Sequence, residues 1–238
     1  MAEYKKRYDG RALDECRPMI AKAGVIKNAD GSGYFKIGNT IAYAAVYGPR
    51  EIYPKFLSNH KKGILRINYN MMTFSGPGER NRPGPNRRAK EISLVSSKAL
   101  VSAIDLSKFP NSVIDVFIEL PQTDAGSRCA GISAASIALA DAGLVMKDMV
   151  PAVAVGLVGN TAVVDLSYDE EQPEGMEAVD IPLAIIPSTG EVTLLQMDGI
   201  INKDKLIEVI ELGKKACIKI AELQRQALKD KYEGDANE

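Results

Sequence analysis

Hydrophobic and polar positions run along this chain with two different periods, and the switches between them divide it into elements. Ile20 to Ile26 reads as a first strand, and the turn Asn28-Ala-Asp-Gly-Ser-Gly33 leads into Tyr34 to Ile37. Gly38-Asn39 predicts a tight hairpin into the β-branched and aromatic run Ile41 to Tyr47, which Gly48-Pro49 is expected to end. Ile64 to Met72 alternates as a half-buried strand should, whereas Ser75 to Asn86 is so rich in glycine and proline that it predicts a long loop. Asn86 is placed to cap a helix whose Ile92, Val95, Ala99, Leu100, Ala103 and Ile104 fall at helical spacing. Val113 to Leu120 predicts a strand closed by Pro121, and Ala130 to Ala142 carries small and apolar residues around most of its circumference, as a buried helix does. Two hairpins follow. Ala152–Val158 joins Ala162–Leu166 through Gly159-Asn160, and Ile181–Pro187 joins Val192–Met197 through Ser188-Thr189-Gly190. Lys203 to Asp230 predicts a long amphipathic helix. No repeat and no linker-like shift of composition interrupts this order. The expectation is one α+β domain over residues 1–238, ordered from about residue 8 to 232 with short flexible termini, its sheets covered by helices over 86–105, 127–142 and 203–230.

Composition narrows the function. At 238 residues and 45% hydrophobic the chain buries a sizeable core. With 30 basic against 31 acidic residues it has no global field for a polyanion, so any such affinity must come from local clusters. Two exist: residues 80–90 hold Arg80, Arg82, Arg87, Arg88 and Lys90, and residues 169–180 hold Asp169, Glu170, Glu171, Glu174, Glu177 and Asp180. Cys16, Cys129 and Cys217 show no metal-ligand spacing and read as reduced packing residues of a cytosolic protein. His60 is the single histidine, which excludes most zinc sites and leaves catalysis to carboxylates and cations. No apolar run reaches membrane length and Met1 to Tyr8 is polar, so a soluble, cytoplasmic protein is expected.

The candidate chemistry centres on Gln122 to Cys129. Gly126 permits close backbone approach, Ser127 is a good N-cap residue, and the first-turn amides of the following helix point outward with the positive dipole end behind them. Arg128 adds a planar fork of donors suited to phosphate oxygens. Arg87 and Arg88 stand in the first turn of another helix, where the dipole disfavours each cation by up to about 1 kcal/mol; the pair reads as an anion site, or as a solvated helix end whose salt-screened charges are cheap to tolerate. In the loop Arg50 to Lys62, cations including Lys55 interleave with Tyr53 and Phe56; this suits a single-stranded nucleic acid, and equally a solvated loop anchored by two rings.

Taken in order, Asp9-Gly10-Arg11, Ala23-Gly24-Val25, Asn28-Ala-Asp-Gly-Ser, Gly38-Asn39-Thr40, Ala45-Val-Tyr-Gly-Pro49, Arg87-Arg88, Asp124-Ala-Gly-Ser-Arg128 and Asp180-Ile-Pro182 resemble the ribonuclease PH family, and within it the catalytic subunits of exosome rings. The resemblance implies the ribonuclease PH-like fold (ribosomal protein S5 domain 2-like) and phosphate-dependent 3′-to-5′ degradation of RNA to nucleoside diphosphates, reversible to RNA tailing. It implies inorganic phosphate as co-substrate and single-stranded RNA as substrate. It also implies a homologous non-catalytic partner in a six-membered ring, a trimer of dimers, with RNA-binding cap subunits. By the same resemblance Gly126, Ser127 and Arg128 bind phosphate, Arg87, Arg88, Lys55 and Arg82 contact RNA, and Asp180 is the catalytic carboxylate, as general acid or as ligand of Mg²⁺ (or Mn²⁺). Relatives carry a second aspartate six positions earlier, which here falls on Glu174, so Glu174 is expected as second catalytic carboxylate and metal ligand; Asp169, Glu170 and Glu171 read as a solvated run of charge. Two other readings remain: a non-catalytic RNA-binding ring scaffold, and a small-molecule kinase, against which stands the lack of a glycine-rich loop followed by lysine.

Overall fold

The computed structural model describes the chain except residues 1–3, 5, 78, 79, 83, 85, 174 and 235–238. Its elements run β1 (Met19–Ala23), β2 (Gly31–Ile37), β3 (Thr40–Glu51), β4 (Ile64–Met71), α1 (Arg87–Val101), β5 (Ser112–Gln122), α2 (Ser127–Asp141), β6 (Ala152–Val158), β7 (Thr161–Val164), α3 (Tyr168–Glu171), β8 (Ala178–Ile186), β9 (Glu191–Leu195) and α4 (Lys203–Gly234). They build a five-stranded sheet in the order β1-β2-β3-β5-β4 and a four-stranded sheet in the order β7-β6-β8-β9. Every pairing is antiparallel except β4 with β5, which runs parallel from Ile64 opposite Val113 to Met71 opposite Leu120.

Helix α2 lies between the sheets, touching β2, β3 and β5 of the first and β6 and β8 of the second. Its sequence explains the position: alanine, serine and glycine let backbones approach, and all of its residues from Cys129 to Leu139 are buried. A Cβ on Gly33 would stand 2.3 Å from the Ala134 carbonyl oxygen, so glycine is what lets β2 lie against this helix. One hydrophobic core runs from Phe35 and Val46 through Ile132 and Ile137 to Val155 and Ile181, joining both sheets. Helix α1 covers β4 and reaches β9, and α4 crosses β1, β6 and β7. Helix α1 starts as expected, with the Asn86 side chain accepting from the Ala89 amide at 2.7 Å.

Several boundaries differ from the sequence expectation. Strand β3 continues through Gly48-Pro49 to Glu51, with an irregularity in its pairing to β5 between Tyr47 and Arg50. Strand β5 continues through Pro121 to Gln122; the proline falls within the second irregularity, beyond the last β4 pair, where a missing N–H disturbs no regular ladder. Ser127 is the first helical residue of α2 and not its cap: the cap position is Gly126, at φ +62°, with no side chain capping the first turn. The acidic segment contains a helical turn, α3, that periodicity alone does not reveal.

Candidate active site

The C-terminal end of β5 delivers the chain into the turn Thr123–Gly126 and so to the start of α2. Ala125 (φ +55°) and Gly126 (φ +62°) are both left-handed, a conformation costly for alanine that sharp re-aiming of the backbone requires. The buried Thr40 hydroxyl holds the turn, accepting from the Asp124 amide at 2.9 Å and lying 2.8 Å from the Asp124 and Ala125 carbonyl oxygens. Because no side chain caps α2, its first-turn amides are left for another acceptor.

This turn forms one wall of an open cleft of about 530 Å³, lined by Arg88 from α1, the cap residue Gly126 with Ser127 and Arg128 from α2, Glu171 and Gln172 around the end of α3, Asp180 and Pro182 from β8, and Asp198 and Gly199 beyond β9. Arg128 is aimed by its partners: Nη1 donates to Gln196 Oε1 and stands 3.7 Å from Glu91 Oε1, and Gln196 Nε2 donates to that same carboxylate at 2.9 Å. A depression of about 310 Å³ shares Arg88, Gly126, Ser127 and Glu171 with the cleft and adds Tyr168 and Thr123.

The carboxylate wall is electrostatically strained. Burial pushes the Asp180 carboxyl up to about 6, with Asp198 adding to the rise and Arg128 and Arg88 opposing it. Asp180 and Asp198 exchange backbone hydrogen bonds at 3.1 and 2.9 Å, which keeps these two acids together, and Asp180 Oδ1 is buried with no hydrogen-bond partner among the described residues. Burial pushes Glu171 up to about 7, with the charge of Asp180 next in importance and the Gly126 amide, Arg88 and Arg17 opposing. Among the described residues no three acids, histidines or cysteines lie close enough to cage a metal ion. Magnesium asks for less, one or two carboxylates plus substrate phosphate oxygens and water, and the orphaned Asp180 oxygen beside Glu171 fits that demand.

Of the residues singled out in the sequence, Gly126, Ser127, Arg128, Arg88 and Asp180 come together in this cleft. Arg87, Arg82 and Lys55 do not line it, and the exposed Lys55 pairs with Glu51 at 3.1 Å. Glu174 lies outside the described residues. The carboxylates that the described residues set beside Asp180 are Asp198 and Glu171, and of the run 169–171 only Asp169 is exposed: Glu170 is 1% exposed and bound by the Arg7 guanidinium, and Glu171 lines the cleft. The missed signal is Ser167-x-x-Glu170, a capping box that starts α3 and turns Glu171 toward the cleft. Asp198 and Gln196 were also missed, because only the pairing of β9 with β8 brings them here.

Residues 15–145 match the description "3′ exoribonuclease family, domain 1" and residues 148–216 match "3′ exoribonuclease family, domain 2". The chain belongs to the ribonuclease PH family. A protein named exosome complex component Rrp41 from Methanopyrus kandleri is 48% identical over 229 residues, spanning 96% of this chain and 94% of that one. The protein of the same name from Thermococcus kodakarensis is 50% identical over 230 residues, spanning 97% and 91%. Among solved structures, rice Rrp46 superposes with a TM-score of 0.81 at 24% identity, covering 93% of this chain and all of that one. An Archaeoglobus fulgidus exosome chain, from a structure with RNA bound to the active site, superposes with a TM-score of 0.76 at 24% identity, covering 91% and 92%. The fold of this ribonuclease PH family member is therefore the α+β fold that the resemblance implied.

Proposed function

We propose that this chain degrades single-stranded RNA from its 3′ end by phosphorolysis, as the catalytic subunit of an exosome ring. What supports the reading most is the two-sided cleft, in which uncapped amides and Arg128 face a carboxylate whose pKa burial raises to about 6. Inorganic phosphate fits the start of α2, where amides and the Arg128 fork take its oxygens. Arg88 offsets the repulsion between that phosphate and the terminal phosphodiester of the RNA. A phosphate oxygen attacks the terminal phosphorus, the bond from phosphorus to the 3′ oxygen of the preceding nucleotide breaks, and a nucleoside diphosphate leaves. Asp180, protonated to a useful extent near neutral pH, donates the proton that the departing 3′ oxygen needs. In the alternative role Asp180 is ionised and, with Glu171, would hold Mg²⁺ or Mn²⁺, which when bound supplies charge neutralisation to the phosphates and the departing oxygen in place of the proton. Contacts to backbone rather than base edges make the reaction tolerant of sequence. The relatives' name, exosome complex component, supports membership of a complex; in our reading that complex is a hetero-hexameric ring in which a homologous non-catalytic subunit alternates with this chain beneath RNA-binding caps.

Labelled RNA incubated with and without inorganic phosphate tests the reading. Phosphate-dependent decay to nucleoside diphosphates, reversed to tailing by excess diphosphate, is expected. Nucleoside monophosphates released without phosphate would exclude phosphorolysis, and binding without decay in the assembled ring would leave the scaffold role.

A further inference from the structure

Beneath the cleft lies a network that the mechanism above does not use: the buried Arg7, Arg17, Glu170 and Asp165, with Arg11 at its edge, 3.3 Å from the Asp165 carboxylate. Arg7, 1% exposed, donates from Nε to Glu170 Oε1 at 2.8 Å and from Nη2 to Glu170 Oε2 at 2.7 Å. Its remaining donors reach the Val164 carbonyl at 2.8 Å and the Asp165 carbonyl at 2.7 Å. Glu170 also accepts from the Tyr4 hydroxyl and from the Ser167 amide, both at 2.9 Å. The side chain of Asp165 then grips a second arginine, accepting from Arg17 Nε and the Arg17 amide at 2.8 Å and from Arg17 Nη2 at 2.7 Å. The other arm of that guanidinium, Nη1, donates to the Asp124 carbonyl in the phosphate turn.

Each arm ends under a different half of the cleft. Helix α3 spans only Tyr168–Glu171, too short to persist by its own hydrogen bonds, so the direction in which Glu171 projects depends on the anchoring of its neighbour Glu170. The turn at Asp124–Gly126 belongs to no ladder; in the described residues Thr40 and Asn39 hold it on one side, the Gly126 amide meets the Glu171 carboxylate, and Arg17 is its support from the buried network. Buried ion pairs contribute little net stability over apolar packing, but they fix geometry, because a displaced charge loses every partner at once.

We propose that this network positions the two halves of the cleft separately: Arg7 with Glu170 sets the carboxylate Glu171, and Arg17 with Asp165 sets the phosphate turn. The proposal relies on the phosphorolytic reading for what each half does, and Arg7 and Arg17 become part of the active-site architecture without touching substrate.

The test compares Arg17→Lys and Glu170→Gln with the wild type in the same assembled preparation, varying phosphate at saturating RNA. Arg17→Lys keeps the charge but loses the arm to Asp124, and about a tenfold rise in the KM for phosphate with kcat within about twofold is expected. Glu170→Gln keeps the shape but weakens the fork, and about a tenfold or larger fall in kcat with the phosphate KM within about twofold is expected, in line with what small misplacements of reacting groups cost. Amide hydrogen exchange supplies a readout independent of turnover: faster exchange confined to the hydrogen-bonded Asp124 and Ala130 amides in the first variant and to the Glu170 and Glu171 amides in the second. Both variants moving the same kinetic parameter, or exchange rising in both segments alike or in neither, would overturn separate positioning. A wild type with no phosphate-dependent decay would overturn the phosphorolytic reading instead, and the exchange pattern would still decide the network's role.

Discussion

Asp180 carries an unusual burden for a surface cleft: it is mostly desolvated, faces Asp198, and leaves one oxygen without a hydrogen-bond partner among the described residues. A carboxyl whose pKa is raised on folding binds more protons folded than unfolded, so it lowers stability progressively as pH rises from its ordinary value near 4 to its folded value near 6, and by a constant amount above that. Asp180→Asn removes that penalty. In metal-free buffer at pH 8 the variant should melt higher than the wild type, by about 1–2 kcal/mol of stability, and at pH 4 the difference should vanish. Calorimetry across that range checks it, and the same variant should lose turnover by about 10²-fold or more while still binding RNA. Arg128→Ala should cost about 10²–10³ in rate, the usual size for one preorganised donor to a developing charge. Glu171 makes a sharper claim. Glu171→Gln should raise the Mg²⁺ concentration needed for half-maximal rate, whereas a shift confined to Glu174→Gln would return the second-carboxylate role to the position that the six-residue count indicated.

At the scale of elements, what is legible in the sequence and what is not divide by range. The α1 stripe and its Asn86 cap, the hairpins at Gly38-Asn39 and Gly159-Asn160, and the buried character of α2 are local patterns, and all appear in the fold. The parallel pairing of β4 with β5 has no local signal, since it is set by where α1 returns the chain. Pro49 and Pro121 look like strand ends in the sequence and are not, because a proline breaks a regular ladder and not an irregular one. The site divides in the same way. Arg88, Gly126 to Arg128 and Asp180 are recognisable from residue type, local context and the family resemblance, but Glu171, Asp198 and Gln196 acquire their roles from a short capped turn and a strand pairing. Gly156 shows how little slack those pairings leave: on β6, opposite Asp180, a Cβ there would stand 1.8 Å from the Val179 carbonyl oxygen. Gly156→Ala should therefore displace β8 and cost several kcal/mol, visible as a large fall in melting temperature together with diminished activity.

The whole molecule has a net charge of −1, so its affinity for a polyanion must be concentrated where the cations are, at the cleft and the neighbouring start of α1. Replacing Arg87 and Arg88 together by glutamate should lower RNA affinity and flatten its salt dependence, by roughly 0.7 in log–log slope for each phosphate of a single strand that the protein no longer neutralises. The surface also bears on assembly. Strand β9 is an edge of its sheet, and Leu195, Met197 and Ile200 are 47%, 50% and 92% exposed along and beyond it. An unpaired backbone edge followed by large exposed side chains is a surface that an isolated chain tolerates poorly and a partner subunit would cover. Burying a side chain such as isoleucine is worth about 1.5–3 kcal/mol, and a charge placed there must also be desolvated, so Ile200→Glu should weaken subunit association by about ten- to a hundredfold or more. Because Ile200 contributes almost nothing to the core of the single chain, the melting temperature of the dissociated subunit should stay unchanged. Light scattering against concentration reads the first effect and calorimetry at low concentration the second. Undiminished assembly in the Ile200→Glu variant would mean that subunits associate through another surface.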